Sequence, residues 1–86
     1  MDYTVYILFS ASCNRFYTGQ TKDFDNRLAR HNSGDTKSIR SCIPWTVVWK
    51  IAVGTRSEAV RLEKRIKSRG AERYLLDLGI VASRGA

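Results

Sequence analysis

A chain of 86 residues has room for one small hydrophobic core and not for two, because domains of this size bury only about two-thirds of the surface their unfolded chains expose. Apolar residues at 43% and charged residues at 27% exclude a disordered chain, and no apolar run approaches the roughly 18 residues that a membrane-spanning helix needs. A formal net charge of +7 creates a field that attracts polyanions, of which nucleic acid is the commonest in the cytoplasm.

The start, Met1-Asp2-Tyr3-Thr4-Val5, has neither the basic opening nor the long apolar stretch of a secretory signal, so the expected location is cytoplasmic. Cys13 and Cys42 lack the paired spacing of a zinc site or a redox C-x-x-C, and the chain has a single histidine. Reduced, structural thiols are the expectation for that compartment.

Tyr3 to Phe9 reads as a strand, rich in aromatic and branched residues, and Arg15 to Gly19 as a second. With Ser10 to Cys13 as a four-residue hairpin loop, Phe9 pairs with Asn14, and Tyr6 falls opposite Tyr17 on one face. Asp23 can cap a helix to about Asn32, with Gly34 as its stop signal. On that helix Leu28, His31 and Arg27 fall at about 40°, 340° and 300° from Phe24, so the four share one side. Ser33 to Ile43 reads as an exposed basic loop. Trp45 to Val53 is a third strand, with Trp45, Val47, Trp49, Ile51 and Val53 alternating against their neighbours. Ser57 begins a capped helix to about Arg69, and Glu72 to Leu78 a shorter one between Gly70 and Gly79. The expected fold is α+β: a small three-stranded antiparallel sheet flanked by helices, in the order β-β-α-β-α-α, forming a single domain over residues 1–86.

The most informative residue is Glu63. It falls at about 40° from Ala59 and inside the apolar stripe with Leu62 and Ile66, where a carboxylate stays charged beside a metal ion, in a hydrogen-bond network, beside a cation such as Arg27 or Lys67, or at an edge position that reaches water. Taken singly, His31, Arg27, Tyr6 and Tyr17 each have an ordinary structural explanation. As a set, two phenols on one hairpin face, an Arg and a His one turn apart and an inward Glu have little structural motive and a clear phosphoryl-transfer logic.

The segments Tyr3-Thr4-Val5-Tyr6-Ile7-Leu8, Tyr17-Thr18-Gly19, Asn26-Arg27-Leu28-Ala29-Arg30-His31-Asn32-Ser33-Gly34, Ile43-Pro44-Trp45 and Arg56-Ser57-Glu58-Ala59 leading to Glu63-Lys64-Arg65-Ile66-Lys67 resemble, in order and spacing, the GIY-YIG nuclease domain. The resemblance runs to about Leu78 and is to the small stand-alone bacterial members. It implies the first-motif tyrosine at Tyr6, the second-motif tyrosine at Tyr17, the helix arginine at Arg27, the histidine at His31 and the metal-binding glutamate at Glu63. The first motif departs from the family in reading Thr4-Val5-Tyr6, and the asparagine that some members carry near the C-terminus has no counterpart.

What the resemblance implies is a phosphodiesterase that uses one Mg²⁺ or Mn²⁺ held by Glu63, a hard ion that keeps several waters. Arg27 would clamp the phosphate, and either Tyr6 or His31 would take the proton of the attacking water. Lys37, Arg40, Lys64 and Lys67 are the expected backbone contacts. The expected partner is nucleic acid, DNA in preference to RNA, with no membrane and no small-molecule cofactor. The competing readings are a non-catalytic nucleic-acid-binding module on the same fold and a basic structural protein of an RNA-rich assembly.

Overall fold

The computed structural model describes residues 2–33 and 42–80. Two strands open it, β1 (Tyr3–Ser10) and β2 (Arg15–Thr21). Residues 11–14 turn between them, and Asn14 there adopts the left-handed conformation, φ 53°, which asparagine tolerates better than most residues. The ladder pairs Ser10 with Arg15, Leu8 with Tyr17 and Tyr6 with Gly19. The expected pairings of Phe9 with Asn14 and Tyr6 with Tyr17 are therefore corrected, because the turn begins at Ala11 and takes in Asn14. Faces survive the correction. The partner of Tyr6 moves two residues along β2, and side chains on a strand repeat every two residues.

β3 (Thr46–Val53) joins the other side of β1, so the order is β2-β1-β3 and all pairs are antiparallel. Ile7 pairs with Trp49 but Leu8 pairs with Val47, which leaves Val48 as an extra residue. One extra residue reverses the alternation beyond it. Trp45 and Trp49, expected on the same face, consequently pack on opposite ones: Trp45 with Tyr6 and Leu8, Trp49 against Val5 and Ile7.

α1 (Phe24–Ser33) begins where Asp23 accepts a hydrogen bond from the Asn26 amide at 3.2 Å, satisfying one orphan donor of the first turn. α2 (Arg56–Arg69) is capped by Thr55, whose hydroxyl accepts from the Glu58 amide at 3.1 Å, and not by Ser57, which lies inside the first turn. Gly70, at φ 93°, breaks the helix, and α3 (Ala71–Asp77) follows at once. Arg69 spans this elbow with two hydrogen bonds to Asp77, at 2.9 and 3.0 Å.

Because β1 is central, both of its faces are covered. Val5 and Ile7 bury against Ala59 and Ile66 of α2 and Leu75 of α3; Tyr6 and Leu8 bury on the other face with Cys42 and Trp45, and Phe24 and Leu28 of α1 pack over them. Full burial of each large aliphatic side chain is worth roughly 1.5–3 kcal/mol, so the strand that carries Tyr6 is also the best-anchored one.

The cysteines are not free thiols. Cys13, in the hairpin turn, and Cys42, before β3, form a disulfide with their Cα atoms 5.2 Å apart. Neither the turn nor the segment before β3 announces this in sequence, since the fold alone brings them together. Ser10, fully buried beneath, donates to the Cys42 carbonyl at 2.6 Å and accepts from the Cys13 amide at 3.2 Å. Of the loop expected over Ser33 to Ile43, residues 34–41 lie outside the described residues, including Lys37 and Arg40, while Cys42 at its end is buried. Among the described residues no helix is long and apolar enough to cross a membrane.

Candidate active site

The alternation of β1 sends Tyr6 to the face that α1 covers, where its side chain is 1% exposed. Its partner on β2 makes this placement possible. A Cβ on Gly19 would lie 2.6 Å from the Tyr6 hydroxyl oxygen, 2.8 Å from Cζ and 3.3 Å from a carbon of the Tyr17 ring. The phenol therefore lies directly over the glycine backbone, and no other residue leaves that space. Tyr17 stands on the same face, its ring 6.5 Å from that of Tyr6 and inclined by 20°.

α1 brings the third member. His31 is buried, its ring 4.6 Å from Tyr17 and 6.3 Å from Tyr6, and its Nε2 lies 3.4 Å from the Tyr6 hydroxyl. Phe24, two turns earlier, meets the Tyr6 ring edge-on at 5.3 Å. The end of α1 is held by Asn32, whose side-chain amide accepts from the Trp45 amide at 2.6 Å and donates to the Trp45 carbonyl at 3.1 Å. This two-way clip fixes the turn that carries His31 against the residue just before β3. Trp45 closes the cluster, 6.0 Å from Tyr17, and its buried Nε1 has no hydrogen-bond partner among the described residues.

Burial sets the protonation states. The Tyr6 phenol is pushed up to about 12 from its ordinary 10.0, by desolvation first, then by Tyr17, with Glu63 adding to the rise and Arg27 opposing it. His31 is held below its ordinary 6.5, by desolvation and then by the Arg27 charge. At neutral pH Tyr6 is thus protonated and His31 neutral, and the hydroxyl donates to Nε2 in the tautomer that carries the ring proton on Nδ1.

Tyr6, Tyr17 and His31 are in direct contact. Arg27 is exposed on α1 and Glu63 is half-buried on α2, and each acts on Tyr6 through its charge. Glu63 takes the cationic partner that its inward position requires from Lys67, at 2.7 Å. Lys64 is exposed on α2. Among the described residues no group of three or more His, Cys, Asp or Glu side chains could hold a metal ion. The donor chemistry that remains, one hard carboxylate with an ammonium in the position of its counter-cation, fits a hydrated Mg²⁺ or Mn²⁺ and not zinc, which requires several protein ligands.

The chain matches a known family along most of its length. Residues 2–74 correspond to the GIY-YIG catalytic domain. The chain belongs to the GIY-YIG family. That family is a nuclease superfamily, and its members' nucleic-acid chemistry is the general context for this fold. The chain is 46% identical to a UPF0213 protein of Cronobacter sakazakii over 55 residues, which are 63% of this chain and 58% of that protein. It is 41% identical over 64 residues to a UPF0213 protein of Halobacterium salinarum, covering 73% of this chain and 82% of the relative. A UPF0213 protein of Bacillus halodurans, solved by solution NMR, shares 32% identity at a TM-score of 0.57, over 99% of this chain and 88% of its own. The GIY-YIG chain described here thus spans little more than half of the first of these relatives.

Two members of the site carry weak sequence signals. Asn32 falls about 80° from Phe24 on the helical wheel, beside the inward Leu28 at about 40°, which marks it as inward-facing. Lys50, paired with Tyr6 across β1 and β3, places its ammonium 4.6 Å from the Phe24 ring centroid; its polar position in an alternating strand gives no such indication.

Proposed function

We propose that this GIY-YIG protein is a metal-dependent nucleic-acid phosphodiesterase, cleaving DNA in preference to RNA. The observation that carries the proposal is the buried Tyr6–His31 contact, 3.4 Å long, between a phenol held protonated and an imidazole held neutral. Burying two titratable groups against each other has a desolvation penalty, and polarised pairs of this kind concentrate at sites of proton transfer.

In this reading a water attacks phosphorus and gives its proton to the Tyr6 oxygen as Tyr6 passes its own proton to His31 Nε2. The phenol alone, at about 12, is too weakly acidic to work as a free phenolate at neutral pH, which assigns the accepting role to His31 and the orienting role to Tyr6. Arg27, exposed one turn before His31, holds a non-bridging phosphate oxygen, where a planar guanidinium can bond in two places. Tyr17 borders the same face and positions the phosphate beside the tyrosine pair. Glu63 holds the divalent ion, which when bound supplies charge neutralisation at the phosphate.

The Glu63–Lys67 ion pair at 2.7 Å favours a second reading, a nucleic-acid-binding module in which Glu63 only supports α2. Glu63→Gln separates the two. The nuclease loses metal-dependent cleavage of a panel of single-stranded, nicked, branched and duplex DNA and of RNA, with melting temperature and binding nearly unchanged. The binding module shows no metal-dependent cleavage in either form, and a variant that cuts at the wild-type rate refutes Glu63 as the metal ligand.

A further inference from the structure

β2 is an outer strand of the sheet, and the elbow between α2 and α3 packs against it. Between them lies a cleft of about 520 Å³. Phe16, Tyr17 and Thr18 line it from the strand, and Lys67, Glu72 and Arg73 from the helices. Tyr17 borders this cleft along the edge strand, while its ring packs in the aromatic cluster with Tyr6 and His31.

Lys67 also belongs to two places. Its ammonium is 2.7 Å from Glu63, yet its side chain is 57% exposed while that of Glu63 is 21% exposed. The lysine is the more exposed and the carboxylate the more covered of the two. An exposed pair of this geometry holds its partners only weakly, and the flexible four-carbon stem of lysine allows the ammonium more than one position. The carboxylate is the more covered member of the pair, and either the ammonium or a divalent ion can supply the positive charge beside it.

We propose that Lys67 is an exchangeable counter-cation. It neutralises Glu63 while no divalent ion is bound, and the ion releases it into the cleft beside Tyr17, where it takes a backbone phosphate of the nucleic acid. This rests on the assignment of Glu63 as metal ligand and adds that metal and nucleic acid bind cooperatively through one side chain. Arg69, which also lines the cleft, cannot take this role without giving up Asp77, to which it makes hydrogen bonds of 2.9 and 3.0 Å. Linkage makes the effect reciprocal: the factor by which metal tightens nucleic-acid binding is the factor by which nucleic acid tightens metal binding.

The test uses the full chain as wild type, Lys67→Met, Glu63→Gln and Arg65→Met. Arg65 lies on the other side of α2, beside Glu58 and Leu62, so its substitution removes the same charge without touching the pair. Mn²⁺ binding is read from the electron paramagnetic resonance signal of the free ion, with and without a phosphorothioate DNA oligonucleotide, and DNA binding from fluorescence anisotropy with and without Mn²⁺. Lys67→Met is expected to bind Mn²⁺ alone about two- to five-fold more tightly than Arg65→Met, the range set by an exposed ion pair, and to lose the mutual tightening of metal and DNA. Equal Mn²⁺ affinity and equal coupling in Lys67→Met and Arg65→Met overturn the proposal. If Glu63→Gln binds Mn²⁺ as wild type does, the metal-ligand assignment itself fails; if it loses Mn²⁺ while Lys67→Met matches Arg65→Met, only the exchange fails.

Discussion

Gly19→Ala is the smallest change that should dismantle the site. The new methyl would begin 2.6 Å from the Tyr6 hydroxyl and 2.8 Å from Cζ. Restoring an ordinary contact of about 3.4 Å displaces the phenol by roughly 0.8 Å, beyond the ~0.5 Å within which catalytic groups must be held. The ring has nowhere free to go, because Phe24, Tyr17 and His31 surround it, and the contact to Nε2 is already long at 3.4 Å. Overpacking of this kind costs about 1–3 kcal/mol, and each kcal/mol lowers the melting temperature of a domain this size by about 4–8 °C. A misplacement near 1 Å lowers turnover by about 100-fold. Gly54→Ala is the matched control, since a Cβ there meets nothing within 4 Å. Circular-dichroism melting and metal-dependent cleavage, measured on both variants, decide the matter. A Gly19→Ala protein that melts and cuts like Gly54→Ala would refute the assignment of Gly19 as the residue that seats Tyr6.

Other expectations follow from protonation and from the covalent crosslink. Tyr6 titrates near 12 when folded and near 10.0 when unfolded, so its contribution to stability is intact below pH 10 and is lost as the pH rises toward 12, by about 2–3 kcal/mol at ~1.4 kcal/mol per unit; denaturant titrations across that range should be flatter for Tyr6→Phe. His31 is depressed when folded, so the unfolded chain takes up its proton first, and stability should begin to fall as the pH drops below 6.5; the acid limb of cleavage should likewise lie below 6.5, and a limb above that value would remove His31 as the acceptor. Cys13 and Cys42 are separated by 29 positions, for which loop-closure entropy gives about 3–4 kcal/mol; dithiothreitol or Cys13→Ser should lower the denaturation midpoint accordingly, and an unchanged midpoint would mean that the crosslink constrains little in the unfolded chain.

The order of elements and the shared side of Phe24, Leu28 and His31 were legible because periodicity and capping residues report local geometry. The face of Tyr6 and Tyr17 was legible too, although their register was not. The turn could begin at Ser10 or at Ala11, and only the burial of Ser10 beneath the disulfide, a long-range event, selects Ala11. The Val48 bulge has no mark in an otherwise regular alternation, so Trp45 could not be separated from Trp49 by pattern. The Thr55 cap was available as Thr-x-x-Glu and competes with Ser57 two residues later; the reciprocal bonding of Thr55 with Glu58 favours the former. The pairing of Cys13 with Cys42 depends on the hairpin turn meeting the segment before β3, and no spacing rule contains that. For Glu63, the i, i+4 lysine was visible as one of its open partners, and the structure selects it.

Since adjacent residues of β1 serve opposite faces, the hydrophobic core and the tyrosine site are assembled by the same six consecutive buried positions, Val5 to Ser10. No partly folded form of the chain can present the site while leaving the core unmade, so activity and foldedness should disappear in a single transition under heat or denaturant. Substitutions on β1 will accordingly report both at once. The exposed side chains of Arg27 and Lys67 are the positions at which chemistry can be altered while the fold stays still.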